Sequence, residues 1–187
     1  MPARLPTLAW ATRTALIAVL LPLLTDCGPK RNEFAPPCPQ AAYLADAAEL
    51  NRYRPGAASG GNDVTDLILH GRVAGLSGAC KPGDTNDKVA VSLSVVLELT
   101  RGPAMVGRAT DVEYFVAITD GNSILDKRVF TSHVEFPDNV DHAGFQSGEI
   151  DLALPVSATK SAAAYGVLVG FQLTPDELVR NRALERR

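Results

Sequence analysis

Metal-ligating side chains cluster in one short segment of the sequence, "PDNVDHAG". It places the carboxylates of Asp138 and Asp141 close to the imidazole of His142. Loops rich in carboxylate, amide and carbonyl oxygens suit Ca²⁺, although the D-x-D-x-D-G spacing of a calcium loop is missing here. Two interpretations stay open, a divalent metal-ion site and a solvated turn. The other two histidines, His70 and His133, fall within predicted strands.

Motifs for nucleophilic catalysis do not occur in the sequence. The G-x-S-x-G pattern is absent, and Cys80 in "SGACK" has no histidine or aspartate signature beside it. The acidic pairs Asp111/Glu113 and Glu149/Asp151 alternate with other residues, as they do on the wet face of a strand. We therefore predict that the protein is not an enzyme and has no catalytic residue or cofactor. The alternative is a small periplasmic metal-binding protein or enzyme that uses the loop of Asp138, Asp141 and His142.

The N-terminal segment has the layout of a secretory leader. Arg4 and Arg13 precede an apolar stretch at 14–24, "TALIAVLLPLL", of the length expected for a signal-peptide core. A transmembrane helix needs about 20 apolar residues. That length would bury Arg13 and include Pro22, so a cleaved leader is the stronger prediction.

Cys27 follows this leader in a context that resembles a bacterial lipobox. Leu24 and Thr25 fit the motif, whereas Asp26 departs from the small neutral residue usual before the cysteine. We predict that Cys27 carries a lipid, with an ordinary cleaved leader or an uncleaved anchor as the alternatives. By resemblance to the enteric sorting rule, Gly28 implies transfer to the outer membrane.

The remaining cysteines, Cys38 and Cys80, form an even pair if Cys27 is lipidated. An exported chain reaches an oxidising compartment where disulfides persist. Closing a loop of about 40 residues stabilises a fold by roughly 3–4 kcal/mol in the chain-entropy model. We predict a Cys38–Cys80 disulfide, and the alternative is two free, buried cysteines in a cytosolic protein.

Composition and charge exclude one class of partner. The chain has 187 residues, 46% of them hydrophobic and 21% charged, which is typical of a folded domain. Its net charge is −3, and it has no stripe of Lys and Arg. Because phosphate neutralisation supplies most nucleic-acid affinity, we predict no nucleic-acid partner.

Strand patterns dominate the chain from residue 64 onward. The clearest lies in "KVAVSLSVVLELTRGP", where six apolar residues alternate with mostly polar ones. Six strands are predicted, at 65–78, 88–103, 110–119, 125–136, 145–155 and 163–173. No helical pattern separates them, which favours an antiparallel β-sandwich of the immunoglobulin or fibronectin-III type over a parallel sheet. Tyr165 is either a tyrosine corner of such a sandwich or an ordinary strand residue.

The flanking segments are predicted from local signals. "PQAAYLADAAELNRYR" fits either a short strand with a helical turn or a single helix. At the other end, Thr174, Pro175 and Glu177 match an N-cap, a first helical position and a capping box. The predicted organisation is a leader at 1–26, a tether at 27–37, an N-terminal segment at 38–63, the sandwich at 64–173 and a short C-terminal helix at 174–187.

Four stretches carry a resemblance to a known family. They are "CPQAAYLADAAELNRYRPG", "DLILHGRVAGLSGAC", "VEYFVAITDGNSILDKRVF" and "YGVLVGFQLTPDELVRNR". They resemble small exported lipoproteins predicted in alphaproteobacteria, over most of residues 38–182. The resemblance implies an envelope location and, by position, the pairing of Cys38 with Cys80. It implies no catalytic residues.

These expectations describe a lipid-anchored module of the bacterial cell envelope that faces the periplasm, at the outer rather than the inner membrane. It would act by binding or as a structural part, with the membrane and an envelope protein as partners, or a glycan or lipopolysaccharide. The Arg-rich end, "VRNRALERR", is either a contact for anionic lipid or a partner, or a solvated helix end.

Overall fold

The computed structural model describes residues 37–56 and 63–185, so Cys27 and the predicted leader lie outside the described residues. The described part contains nine strands and one α-helix: β1 (Gln40–Tyr43), β2 (Glu49–Tyr53), β3 (Leu67–Pro82), β4 (Lys88–Arg101), β5 (Ala109–Asp120), β6 (Ser123–Glu135), β7 (His142–Gln146), β8 (Ile150–Pro155), β9 (Tyr165–Phe171) and α1 (Pro175–Glu185). In this part of the chain, no helix has the length and hydropathy needed to cross a membrane.

The strands form two sheets that pack as a sandwich, which confirms the predicted fold class. Sheet A has the order β1-β9-β5-β6, with β1 parallel to β9 and the other neighbours antiparallel. Sheet B has the order β2-β3-β4, and β7 and β8 share the remaining edge of β4. Both sheets turn their alternating apolar rows toward each other, so the main core lies between them.

The strongest sequence pattern gives the core row of β4. All six apolar residues of that alternation are buried: Val89, Val91, Leu93, Val95, Leu97 and Leu99. The predicted row of β9 is buried in the same way from Tyr165 to Phe171, and Leu173 beyond it is half-buried. Period-two alternation therefore located the inward faces of these two strands.

Strand β5 departs from simple alternation because sheet A is covered on both sides near its middle. Phe115 and Ala117 point away from the main core, yet only 6% and 2% of their surfaces are exposed. They form a second apolar cluster with Ala47, in the 3₁₀ turn Ala45–Ala47 that links β1 to β2. The chain thus passes over the outer face of sheet A before it enters sheet B.

The segment predicted as one strand at 145–155 is two strands, which corrects the prediction. β7 and β8 pair with successive parts of β4, and Ser147 lies between them. The Ser147 N–H donates to the Val95 carbonyl, and its Oγ accepts from the Val95 N–H, both at 2.9 Å. Ser147 thus forms hydrogen bonds with both main-chain groups of Val95 and separates β7 from β8.

The N-terminal segment left open by the sequence contains two strands. β1 and the 3₁₀ turn match the first alternative, whereas β2 was not predicted. Helix α1 packs beside β2, with Arg52 Nε 3.2 Å from Glu177 Oε1. The capping box is confirmed, because Glu177 Oε2 accepts from the Thr174 N–H at 2.8 Å while Thr174 Oγ1 accepts from the Glu177 N–H.

Candidate functional site

Four polar residues form a row across the outer face of sheet B. Strand register pairs Asn51 of β2 with His70 of β3, His70 with Thr100 of β4, and Thr100 with His142 of β7. Side chains of directly paired residues point to the same face of a sheet. Two histidines far apart in sequence therefore flank one threonine.

This row borders an open cavity of about 390 Å³, which we call the histidine groove. Its walls and floor come from three neighbouring strands: His70, Arg72, Glu98, Leu99, Thr100, His142, Ala143 and Gly144. A Cβ built on Gly144 would meet no atom within 4 Å, so the groove is open above β7. We take the histidine groove as the candidate functional site.

A hydrogen-bond chain from helix α1 fixes the His70 ring. Asn181 Nδ2 donates to the main-chain carbonyls of Asp46 and Glu49, at 3.0 and 2.8 Å, which sets the orientation of its amide. Asn181 Oδ1 then accepts from Asn51 Nδ2 at 3.4 Å. Asn51 Oδ1 lies 3.0 Å from His70 Nδ1. Because an amide oxygen can only accept, His70 Nδ1 carries the hydrogen and the neutral ring keeps its lone pair on Nε2.

His142 is held on the other side of the row. Its Nδ1 lies 3.1 Å from Thr100 Oγ1, a hydroxyl that can donate or accept.

In the adjacent row, Arg72 Nε donates to Glu98 Oε2 at 2.9 Å. Both side chains of this ion pair are more than half exposed, so water screens the pair and it adds little stability.

The loop at 138–142, which the sequence left open as either a metal-ion site or a solvated turn, has both of its aspartates next to arginines. Asp138 Oδ1 lies 3.7 Å from Arg108 Nε, and Asp141 Oδ1 lies 3.9 Å from an Arg101 guanidinium nitrogen. His142 instead faces Thr100, as the first residue of β7. Within residues 37–56 and 63–185, no group of three or more His, Cys, Asp or Glu side chains is placed to hold a metal ion. The two aspartates therefore act as partners of arginines.

The third histidine lies on the other sheet. His133 of β6 pairs in register with Asp111 of β5, and its Nδ1 is 2.7 Å from Asp111 Oδ1. Both side chains are about two-thirds exposed, at 69% and 66%. This pair lies outside the histidine groove.

The structure joins Cys38 and Cys80 by a disulfide, as predicted, with their Cα atoms 5.7 Å apart. Cys38 precedes β1 at the edge of sheet A. Cys80 lies in the part of β3 beyond its pairing with β2, which involves only residues 67–72. The bond therefore links the edges of the two sheets.

The tyrosine considered as a corner residue lies against a lysine. Lys160 Nζ is 4.5 Å from the centre of the buried Tyr165 ring and also pairs with the Asp120 carboxylate. The hydrogen bond to Asp120 raises the pKa of Lys160. In the main core, burial raises the pKa of Tyr114, an effect opposed by hydrogen bonds with Ser147 and Ser132.

Part of the arginine-rich end is engaged by the fold. Arg182 Nε lies 2.6 Å from Asp46 Oδ2, and the Arg180 guanidinium lies 5.5 Å from the centre of the Tyr53 ring. Arg186 and Arg187 lie outside the described residues. Two arginines of this segment thus hold α1 against the N-terminal part of the domain.

A scan against protein-family models, and searches among curated proteins and solved structures, gave no match. Sequence reasoning missed the histidine groove, because cross-strand register brings His70 and His142 together. One signal was available in the sequence. The apolar residues of β3 and β4 fall mainly at odd positions, whereas His70 and Thr100 fall at even positions and so belong to the opposite, outer face.

Proposed function

We propose that the protein is an exported, membrane-tethered binding module of the bacterial cell envelope that has no catalytic role. In this proposal, Cys27 is lipidated, residues 28–37 form the tether, and the histidine groove is the binding surface. The resemblance to small exported lipoproteins agrees with this location. The partner is an envelope protein, with a glycan or lipopolysaccharide as the other candidate.

The observation that carries the proposal is the Cys38–Cys80 disulfide. Structural disulfides form and persist in oxidising compartments and are rare where thiols are kept reduced. The bond therefore supports export, in agreement with the leader pattern at 1–26. It also uses two of the three cysteines and leaves Cys27, the residue in the lipobox-like context, as the odd thiol.

The point at which the chain enters the sandwich favours a groove presented to the periplasm. Cys38 is bonded to Cys80, and Cys80 is paired in register with Val91 of β4. Thr100, in the groove, lies further along the same strand, and the rise from 91 to 100 is roughly 30 Å. Cys38, near the start of the described chain, thus lies at one end of the sandwich, and the groove lies near the other.

The charge and surface of the groove favour recognition of a ligand over chemical change. Its one exposed ion pair, Arg72 with Glu98, is self-neutralising. The two groove histidines contact uncharged groups: His70 Nδ1 lies against the Asn51 amide, and His142 Nδ1 lies against the Thr100 hydroxyl.

Photocrosslinking in intact cells tests the binding role. A photoreactive residue replaces Gly144 in the groove, where the space above Cβ is open. Its matched control replaces Val129, an exposed residue on the outer face of sheet A. We expect a discrete envelope adduct from position 144 and none from 129. Equal labelling from both positions, or none from 144, would contradict the proposal.

A further inference from the structure

Two neighbouring aliphatic side chains, Ile124 and Leu125, stand exposed just after the turn between β5 and β6. They keep 66% and 50% of their surfaces exposed, and we call them the aliphatic tip. In a regular strand, adjacent side chains point to opposite faces. Here Ile118 of β5 pairs with Asp126 of β6. The next residue, Thr119, pairs with Ile124 and thereby skips Leu125. Such a bulge changes the direction of side chains, and this one leaves two adjacent aliphatic groups in solvent.

The aliphatic tip lies at the end of the sandwich where the described chain begins. Across sheet A, Gln40 pairs with Gly166, and Gly166 pairs with Thr119. Thr119 in turn pairs with Ile124. Ile124 therefore lies in the same cross-strand row as Gln40, three strand spacings or roughly 15 Å away. Gln40 comes two residues after Cys38, so the tip and the disulfide share one end of the molecule.

The proposed lipid attachment site is a short length of chain away from this end. Residues 28–37 separate Cys27 from Cys38, and a chain of that length spans at most about 40 Å when fully extended. A lipid on Cys27 would hold this end of the domain near the bilayer at a high effective concentration. Two aliphatic side chains bind a bilayer weakly by themselves, because the gain scales with the apolar area buried. A tethered contact needs no more than that.

The acidic side chains next to the aliphatic tip are paired with basic ones. Asp120, at the end of β5, pairs with the ammonium group of Lys160. Asp126 Oδ2 lies 3.7 Å from Arg128 Nε. An unpaired carboxylate would oppose contact with an apolar phase, because a charge is costly to remove from water. The two ion pairs reduce that cost at the tip.

We propose that the aliphatic tip docks on the lipid bilayer, with Ile124 and Leu125 at the boundary between headgroups and acyl chains. The inference rests on the proposed lipid anchor and adds a second contact with the same membrane. Thr100 in the histidine groove lies toward the opposite end of the sandwich from Cys80. Docking of the tip therefore presents the groove away from the bilayer.

Tryptophan fluorescence in vesicles tests this contact. Leu125→Trp is made in a Trp10→Phe background, so that the probe is the only tryptophan of the chain. The full chain is purified from its membrane and reconstituted into phosphatidylcholine vesicles, with or without bromine atoms near the glycerol end of the acyl chains. Interfacial side chains lie about 5–10 Å into the boundary of headgroups and acyl chains, so brominated lipid should quench the probe by about half. Its emission should also shift to shorter wavelength.

Val106→Trp in the same background is the matched control. Val106 is 95% exposed and lies between β4 and β5, at the opposite end of β5 from the aliphatic tip. We expect this probe to stay unquenched, with the emission of a ring in water. Equal quenching at both positions, or none at position 125, would overturn the inference. Emission from position 125 that is shifted but unquenched would show that protein covers the tip, and would also overturn it.

The proposed function fails on different observations. The mass of the reconstituted protein reports the lipid on Cys27, and the crosslink from position 144 reports the groove. If both are found and the probe at position 125 is unquenched, this inference fails and the proposed function stands. If that probe is quenched but the lipid or the crosslink is missing, the proposed function fails and the contact with the bilayer stands.

Discussion

The outer faces of the two sheets differ in what covers them. On sheet A, the 3₁₀ turn carrying Ala47 packs over Phe115 and over Gly170, where an added Cβ would lie 2.9 Å from Ala47 Cβ. On sheet B, an added Cβ at Gly144 would meet nothing within 4 Å. One outer face is therefore partly a second core, whereas the other includes an open polar groove.

The histidines on the two outer faces differ in the groups that they contact. His133 on sheet A is paired with the carboxylate of Asp111, which lies 2.7 Å from its Nδ1. His70 and His142 on sheet B face neutral polar groups, and both border one cavity. The same residue type thus contacts a carboxylate on one sheet and lines an open groove on the other.

The disulfide that joins the edges of the two sheets should give the largest effect. Cys38→Ala/Cys80→Ala removes a covalent loop with a sequence separation of 42 residues. The chain-entropy model predicts a loss of about 4 kcal/mol in the free energy of unfolding. Urea denaturation of the natural and doubly substituted proteins measures it. Reduction of the natural protein should cause the same loss, and a change below about 1 kcal/mol would contradict the account.

The covered face of sheet A should respond to loss of an aromatic ring as a core does. Phe115→Ala should lower the free energy of unfolding by about 3 kcal/mol, because it empties a buried site beside Ala47 and Leu173. Val129, the register partner of Phe115, is 48% exposed. Val129→Ala is the matched control and should cost far less. Equal losses would mean that the second cluster is not packed as described.

A pair of glycine substitutions compares the two outer faces directly. Gly170→Ala should destabilise the protein by about 1–3 kcal/mol, because the new methyl group collides with Ala47 and Phe115. Gly144→Ala should be neutral or stabilise it by up to about 1 kcal/mol, since the space is open and the unfolded chain loses freedom. Thermal melting of both variants measures the contrast. The reverse order would contradict the assignment of covered and open faces.

The exposed contact between Asp111 and His133 on sheet A should give the smallest effect. Asp111→Asn removes the charge opposite His133 at a position where both side chains are about two-thirds exposed. Water screens such a pair, so the loss in free energy of unfolding should be below about 1 kcal/mol. Glu98→Gln, in the exposed pair with Arg72 on sheet B, should cause an equally small loss in the free energy of unfolding, measured by urea denaturation. A loss above about 2 kcal/mol in either would show a hidden structural role.

The sequence was sufficient for features that depend on neighbours along the chain. Alternation located the buried rows of β4 and β9, and the Thr174/Glu177 spacing located the start of α1. The sequence was not sufficient for features that depend on contacts with residues far away in the chain. Ser147 ends β7 by bonding to Val95, and β2 is a strand because it pairs with β3.

The candidate site depends on contacts between residues that are far apart in the sequence. From residue types alone, the loop around His142 was considered as a metal-ion site, with a solvated turn as the other interpretation. In the fold, the carboxylates of this loop lie next to arginines. His142 lies on the opposite side of Thr100 from His70. A strand register cannot be read from one sequence without knowing which strands pair, so the groove was visible only in the structure.

The central claim is that the chain is exported and tethered with its disulfide formed. The most direct test is the intact mass of full-length protein from its native membrane, alkylated without reduction and compared with Cys27→Ala. We expect a mature chain that begins at Cys27, carries an acylated glyceride lost in the variant, and has no alkylation at Cys38 or Cys80. An unmodified chain that retains residues 1–26, or alkylation of either disulfide cysteine, would contradict the account.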